Sequence, residues 1–345
     1  MYRLSKRPSS YLGATTMGFL RVGASGLRLL TLSVVLNFCQ VLPREEGLNC
    51  DESLPPLAGS CGDCTVGPSP GLVIDSHVEV LDFGSPNVGG EVFPCASDFG
   101  ASDIMFHRGL GKLLIVSDEG QVAAVSLDGK KVQCFSPVPD QITSLDYEAV
   151  AYADSTPDLI YIGVENGGED GVAVIQAAKL VRDETTGELL DVTMAGQDYW
   201  EIDFPGGMVG NKGLEGLAFV PDAEDDEGGS FIIGDQTSSE ARSGCKLPIV
   251  SRQGCGSSSH RCTCSGPVVR PKGWHEVSSV SFVRTAVPSA ADPSSGVAAA
   301  WALLVGSDHD DELKLYHPRD LSPLPIGDIK HLPHASGVGQ EGITV

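Results

Sequence analysis

Three glutamates stand at equivalent positions in the chain, each at the start of a short apolar segment. They are Glu148, Glu215 and Glu341. If these segments converge in the fold, the three carboxylates repel one another unless they are protonated or bridged by a cation. A hard divalent cation takes oxygen ligands, so this set predicts a Ca²⁺ site, with Mg²⁺ as the less favoured ion. The competing interpretation is structural: each glutamate caps a turn or accepts hydrogen bonds from backbone amides of a neighbouring strand.

A second set of acids recurs at the end of the next apolar segment in four places. The set is Asp118, Glu165, Asp235 and Asp308. An acid directly after a strand is typical of a hairpin corner, so turn chemistry is the favoured interpretation. The acid-rich runs 222–227 and 308–312 are interpreted as solvated loops, with a bound cation as the alternative for each.

No catalytic nucleophile can be assigned from the sequence. A Gly-x-Ser-x-Gly elbow does not occur, and the Gly-rich stretch 206–210 is not followed by the Lys-Ser/Thr of a phosphate-binding loop. A metal-dependent hydrolase of a polyanionic substrate needs basic residues to hold that substrate beside its metal, whereas the recurrent positions hold acids and serines and almost no Lys or Arg. The sequence therefore favours a binding protein over an enzyme, and it predicts no catalytic residue and no organic cofactor.

The glutamates belong to a unit that recurs five times. Each unit opens with an acid or serine and a short apolar strand; the starts, separated by 46, 67, 63 and 63 residues, are Ser102, Glu148, Glu215, Ser278 and Glu341. A second apolar strand follows in four units and a third, alternating strand in three. Repeats of roughly 40 to 50 residues with loop insertions are typical of β-propeller blades. The first strand of each blade lines the central channel, so the three glutamates are expected to converge there.

The opening strands resemble those of the SdiA-regulated family of β-propellers, which is related to the phytase-like propellers. The most specific element is the block Asn-Lys-Gly-Leu-Glu-Gly-Leu-Ala at 211–218, and the resemblance extends over 72–345. It implies an all-β fold with five blades around a central channel. One departure is a Cys-rich insertion at 238–272, which is expected to displace the third strand of its blade. The other is that family members continue for a further hairpin beyond the strand that Glu341 opens.

Closure of the propeller can also be predicted. Propellers usually join the two chain ends in one sheet, so Val78–Phe83 is predicted to be an outer strand of the blade that Glu341 opens. On this interpretation the last blade is incomplete. A further hairpin of about 15 to 25 residues is expected to be needed to finish it.

The N-terminal region has a different composition from the rest of the chain. Residues 1–44 contain six basic residues and no acid, and 29–42 are mostly apolar. This pattern predicts a secretory signal peptide or a short signal anchor, with an organelle transit peptide as the alternative. Residues 45–71 are rich in Pro, Gly and Ser and are predicted to be a linker. The protein is therefore expected to be secreted or membrane-anchored, with an organellar location as the alternative.

The ten cysteines are consistent with an oxidising compartment. Four of them crowd one stretch and are predicted to lie in one loop outside the sheets and to pair mostly with one another: Cys245, Cys255, Cys262 and Cys264. A zinc site that includes His260 is the alternative, although the spacing lacks the paired CxxC motifs of a strong zinc signal. The CxxC at 61–64 lies in the linker, without the helix of a redox motif.

The net charge limits the class of partner. The chain of 345 residues has 23 basic and 46 acidic residues, a formal charge of −23, which repels nucleic acid. The combined prediction is an extracytoplasmic β-propeller that binds an unidentified protein or small molecule, with the apolar N-terminal segment as a candidate membrane tether. The alternative is a calcium-dependent, phytase-like or esterase-like hydrolase that uses metal-activated water.

Overall fold

The structure is a computed structural model of the chain. It describes residues 14–23, 26–35, 78–82, 95, 99–127, 129, 131–138, 145–153, 155–165, 172–202, 213–221, 229–236, 239–246, 261–288, 297–307, 309–310, 312–318, 320–323, 329–330 and 339–344.

Twenty-one strands and no helix lie in this described part of the chain. They are β1 (Ala14–Gly23), β2 (Gly26–Val35), β3 (Val78–Asp82), β4 (Ala101–His107), β5 (Lys112–Ser117), β6 (Val122–Ser126), β7 (Val132–Phe135), β8 (Tyr147–Ala151), β9 (Leu159–Val164), β10 (Val174–Arg182), β11 (Leu189–Ile202), β12 (Leu214–Pro221), β13 (Gly229–Asp235), β14 (Glu240–Lys246), β15 (Arg261–Cys264), β16 (Val268–Val269), β17 (Ser279–Pro288), β18 (Val297–Ser307), β19 (Glu312–Tyr316), β20 (Ile329–Lys330) and β21 (Gly339–Thr344).

Hydrogen bonds join these strands into four sheets, which are arranged as a β-propeller. Three sheets have four strands each, in the orders β21-β1-β2-β3, β4-β5-β6-β7 and β17-β18-β19-β20. The fourth has nine strands and runs β12-β13-β14-β15-β11-β10-β9-β8, with β16 paired to β14. The prediction of an all-β propeller is confirmed.

The predicted number of five blades differs from these four continuous sheets. The difference arises inside the nine-stranded sheet, where β11 pairs with β15 in parallel at only two positions, Glu201↔Arg261 and Ile202↔Cys262. This short bridge joins the group β8–β11 to the group β12–β16. Each of the two groups is otherwise antiparallel.

The first strand of each repeated unit lies at the edge of a sheet. These strands are β4, β8, β12, β17 and β21, and each contacts the next in a closed ring. The five opening segments were predicted to be the innermost strands of five sheets; they lie at sheet edges and contact one another, within four continuous sheets. The ring brings the starts of the repeated units near one another although they are far apart in sequence.

The middle strands of the sheets are apolar on both faces. All positions from Leu113 to Val116 in β5 and from Ile160 to Val164 in β9 are buried or nearly so. Sheets of a propeller pack against neighbours on both sides, so their middle strands carry continuous apolar runs rather than an alternating pattern. Leu114 of β5, for example, shares one core cluster with Tyr147 and Val150 of β8.

One glycine permits the close approach of two ring strands. A Cβ added to Gly216 of β12 would lie 2.5 Å from Val280 Cγ2 and 2.6 Å from the Val280 backbone nitrogen of β17. Backbone cannot move aside as a flexible side chain can, so any larger residue would push these strands apart. This glycine follows Glu215 directly and therefore helps to fix where that glutamate lies.

Both ends of the described chain contribute to one sheet. β21 pairs with β1, β1 with β2 and β2 with β3, so β3 lies at the edge opposite β21. The outer position predicted for Val78–Phe83 is confirmed by β3. β1 and β2 fall within residues 1–44, the predicted leader, and they occupy the positions beside β21 that the sequence analysis left to a further hairpin.

Within the described residues, the structure contains no helix with the length and apolar character that crossing a membrane requires.

The Cys-rich segment does not displace the third strand of its blade, so that expectation is wrong. It supplies β14, β15 and β16, and β14 takes the third-strand place beside β13. Cys245 and Cys264 face each other across β14 and β15 and form a disulfide, which confirms pairing within the cluster. Their predicted position in a loop outside the sheets is wrong, because Cys245 and Cys262 are fully buried in a core cluster.

The other described cysteines comprise one free thiol and one further disulfide. Cys262 is a free, buried thiol whose pKa is raised to about 12 by burial. A second disulfide, Cys95–Cys134, was not predicted from the sequence. Cys255, His260 and the CxxC at 61–64 lie outside the described residues.

Asp103 of β4 connects two strands of the ring. Its side chain is only 3% exposed, and its Oδ2 accepts a hydrogen bond of 2.8 Å from the backbone N–H of Val150 in β8. Its Oδ1 accepts a second, also of 2.8 Å, from the N–H of Ile104. A carboxylate of this sheet therefore satisfies a backbone donor of the next sheet.

We expect Asp103→Ala to lower the free energy of unfolding by ~1–3 kcal/mol, because it leaves the buried Val150 N–H without this acceptor. Asp191→Ala is the matched control. Asp191 also accepts a bond from the next residue's N–H, Val192, but it is exposed. The control should change stability by less than about 0.5 kcal/mol. Urea denaturation measures both, and equal effects would contradict a bridging role for Asp103.

Candidate functional site

The repeated polar position coincides with a β-bulge in three of the ring strands. The pairing register shifts between Ala101 and Asp103, between Tyr147 and Ala149, and between Leu214 and Gly216. The intervening residues are Ser102, Glu148 and Glu215. A bulge inserts one unpaired residue and re-aims its side chain, and bulges are frequent beside functional sites. The recurrence of an acid or serine thus reflects a recurrent backbone feature at the starts of the ring strands.

Three carboxylates come together around the bulge in β8. One oxygen each from Asp146, Glu148 and Glu165 lies within 4.8 Å of the others. Asp146 directly precedes β8 and Glu165 directly follows β9, and the Glu165 N–H donates to the Asp146 carbonyl at 3.0 Å. Pairing of β8 with β9 therefore fixes the positions of all three residues. Glu165 is only 1% exposed, so this group is partly withdrawn from water.

Glu148 is the most strongly perturbed acid of this group. Burial raises the pKa of Glu148 far above its ordinary value, and the neighbouring Glu215 raises it further. Asp146 adds to the shift through its charge and a hydrogen bond, and Glu165 adds through its charge. Without a cation, Glu148 therefore carries a proton at neutral pH.

Asp118 lies at the margin of the same group. Burial raises the pKa of Asp118, and the charges of Glu119 and Asp146 raise it further. Asp118 follows β5 as Glu165 follows β9. The charge of Asp146 therefore acts on acids of two sheets, Asp118 and Glu148.

The arrangement suits a hard cation. Ca²⁺ binds oxygen at about 2.3–2.6 Å, so one ion can touch oxygens that lie up to roughly 5 Å apart. The oxygens of Asp146, Glu148 and Glu165 meet this requirement. A cation between them would replace mutual repulsion by attraction and would leave Glu148 ionised.

The two glutamates predicted from the repeat, Glu148 and Glu215, are brought close enough to interact electrostatically. The third, Glu341, lies in β21, and its side chain is outside the described part of the structure, so its place in the site stays a prediction. Asp146 was not predicted as a site residue, and Glu165 was predicted to lie at a hairpin corner. The pattern Asp146-x-Glu148 could have signalled the first, because alternate residues at a strand start can share one face.

The remaining acids of the second set have different roles. Asp235 is buried at the end of β13, and its Oδ2 lies 3.7 Å from Arg242 Nε. Arg242 also forms an ion pair with Glu240. The charge of Asp235 is therefore balanced by a guanidinium. Asp308 lies outside the described residues.

Compared with protein-family models and with curated proteins, the chain matches none of them.

In the absence of divalent cations, we expect the free energy of unfolding to fall as the pH rises from about 5 to 8. The ordinary pKa is 4.5, whereas folded Glu148 keeps its proton to a much higher pH. Between these two values the folded state binds one more proton than the unfolded state, so raising the pH favours unfolding. One proton gives a slope of at most about 1.4 kcal/mol per pH unit.

Urea denaturation in a chelator at several pH values measures this slope. Glu148→Gln removes the titrating group, so the variant should show a flatter profile and exceed the wild type in stability at alkaline pH. Glu184→Gln, at an exposed turn residue, is the control and should keep the wild-type slope. Parallel profiles for wild type and Glu148→Gln would contradict the buried, protonated state of Glu148.

Proposed function

We propose that the protein is a five-bladed β-propeller of the SdiA-regulated type that acts outside the cytoplasm as a binding module. Its central channel holds a divalent cation, Ca²⁺ in preference to Mg²⁺, through Glu148, Glu215 and Glu341. The observation that carries this proposal is the meeting of Glu148 with Glu215, Asp146 and Glu165. Acids from separate repeats converge there, as the repeat pattern requires.

The count of five blades is supported by the closed ring of five edge strands. Each of β4, β8, β12, β17 and β21 opens one repeated unit and contacts the next. We take β8–β11 and β12–β16 as two blades that a two-residue parallel bridge connects. Under this assignment each blade begins with one repeated unit of the sequence.

The proposed cation is supported by the electrostatic repulsion among the carboxylates when no cation is bound. Several carboxylates share a partly buried space, and each of the acids beside Glu148 acts to raise its pKa. Protonation of Glu148 relieves the repulsion only in part, because Asp146 and Glu165 remain near each other. A divalent cation offsets the charge of the whole group.

A location outside the cytoplasm is supported by the disulfides Cys95–Cys134 and Cys245–Cys264. Disulfides of this kind form and persist mainly in oxidising compartments. The ligand of the module is a protein or a small molecule. The formal charge of −23 favours neutral or cationic partners over nucleic acid.

A binding module is favoured over a hydrolase by the residues around the acids. A metal-dependent ester hydrolase stabilises a developing negative charge with basic or polar donors beside the metal. The groups that perturb Glu148 are all acids, namely Glu215, Asp146 and Glu165. An acid-lined site of this kind binds a cation well but repels an anionic substrate.

Isothermal titration calorimetry with Ca²⁺ tests the cation site. Wild-type protein should bind Ca²⁺ at the channel, and Glu148→Gln should weaken that binding by about tenfold or more, because a neutral amide replaces a charged ligand. Glu184→Gln should bind as the wild type does. Unchanged Ca²⁺ affinity in Glu148→Gln would contradict the site.

A second assay separates the module from the hydrolase. Calcium-loaded protein is incubated with p-nitrophenyl phosphate and with p-nitrophenyl acetate. The proposal predicts no hydrolysis above that of Glu148→Gln. Calcium-dependent turnover that Glu148→Gln abolishes would instead establish the hydrolase.

A further inference from the structure

Two histidines and an aspartate meet at the surface beside β17–β19. His275 precedes β17, while His309 and Asp310 lie in the turn between β18 and β19. One donor atom from each of the three lies within 4.8 Å of the others. None of them belongs to the acid group around Glu148, so this cluster is separate from the site discussed above.

Both histidines lie close to one oxygen of the Asp310 carboxylate. His275 Nδ1 lies 3.0 Å from Asp310 Oδ1, and His309 Nδ1 lies 3.6 Å from the same oxygen. The two imidazole rings lie 4.3 Å apart between centroids. Both histidines therefore present the same ring nitrogen to one carboxylate oxygen.

These distances match the coordination of zinc. Bonds of about 2.0–2.2 Å to nitrogen and oxygen in a tetrahedron place neighbouring donor atoms roughly 3.3–3.5 Å apart. The observed 3.0 and 3.6 Å lie on either side of that separation. The donor atoms of the two histidines lie within 4.8 Å of each other, so binding of a zinc ion also requires the two imidazoles to settle at the tetrahedral separation.

Hydrogen bonds hold the Asp310 carboxylate in an orientation that suits a metal ligand. Asp310 Oδ2 accepts hydrogen bonds from the Ser307 hydroxyl at 2.8 Å and from the His275 N–H at 2.9 Å. These donors occupy Oδ2, so Oδ1 is the oxygen that faces the histidines. Metal ligands in proteins are typically held by partners of this kind, which fix their orientation.

The two chain segments that carry the ligands are also tied together. The His309 N–H donates to Glu276 Oε1 at 3.0 Å, and the Asp310 N–H donates to the buried Ser307 hydroxyl at 3.1 Å. These hydrogen bonds, together with the bond from the His275 N–H to Asp310, hold the three proposed ligands beside one another.

We propose that His275 Nδ1, His309 Nδ1 and Asp310 Oδ1 bind a Zn²⁺ ion. The side chains of His275 and His309 are 67% and 58% exposed, so the fourth position of the tetrahedron faces solvent and takes water or a small exogenous ligand. Imidazole ligands select a borderline transition metal over Ca²⁺ and Mg²⁺, which prefer oxygen alone. This site is therefore independent of the proposed calcium site.

The test is calorimetric titration of the full chain with Zn²⁺, with His275→Ala and His309→Ala as separate variants. Both side chains are exposed, so neither variant should disturb the fold, and circular dichroism verifies this. Each variant should bind one equivalent of Zn²⁺ less than the wild type or bind Zn²⁺ at least ~10–100-fold more weakly. That factor is the typical cost of losing a residue that supports a metal ligand, and losing a ligand itself should cost no less. His317→Ala, at an exposed histidine that follows β19, is the control and should bind as the wild type does.

Cobalt substitution distinguishes this site from the cysteines of the chain. Co²⁺ bound by nitrogen and oxygen gives d–d absorption without a thiolate charge-transfer band, and His309→Ala should remove that absorption. Wild-type affinity for Zn²⁺ in both histidine variants, or a thiolate band that these variants leave unchanged, would overturn the proposal. Absence of any Zn²⁺ binding to the wild type would also overturn it and would leave an ordinary His–Asp hydrogen bond.

Discussion

Buried carboxylates repel one another, and this repulsion is the constraint that the inner ring of strands has to satisfy. Backbone pairing of β8 with β9 sets Asp146, Glu148 and Glu165 side by side, and contact of β8 with β12 adds Glu215. The same strands form the apolar core, so the acids cannot separate without disturbing the sheets. The group must therefore hold a proton or a cation.

Irregular features of the ring strands fix the positions of the acidic side chains. Bulges at Ser102, Glu148 and Glu215 interrupt the pairing at the starts of three ring strands, and Gly216 lets β12 approach β17. Polar contacts between strands then complete the ring, as with Asp103 and the Val150 N–H. The regular stretches of the strands form the apolar core, whereas the bulges hold the acidic and serine side chains.

The repeat made the fold predictable, because apolar strands preceded by an acid or serine recur at a blade-like spacing. The convergence of Glu148 and Glu215 followed from the same repeat. The contribution of β1 and β2 beside β21 did not, since their apolar character also suits a leader. Asp146 was not predicted from the sequence, because its place beside Glu165 depends on strand pairing. The run 308–312 was recognised as a possible cation site, but its meeting with His275, 35 residues earlier, depends on a contact between segments and on no repeated motif.

The most direct test of the account is a crystal structure of the protein grown with Ca²⁺, or with Tb³⁺ as its anomalous substitute. The account predicts an anomalous peak about 2.3–2.6 Å from a carboxylate oxygen of Glu148, with Glu215 or its neighbouring acids completing the coordination. A Glu148 carboxyl hydrogen-bonded to Asp146, with no peak beside it at saturating metal, would contradict the account.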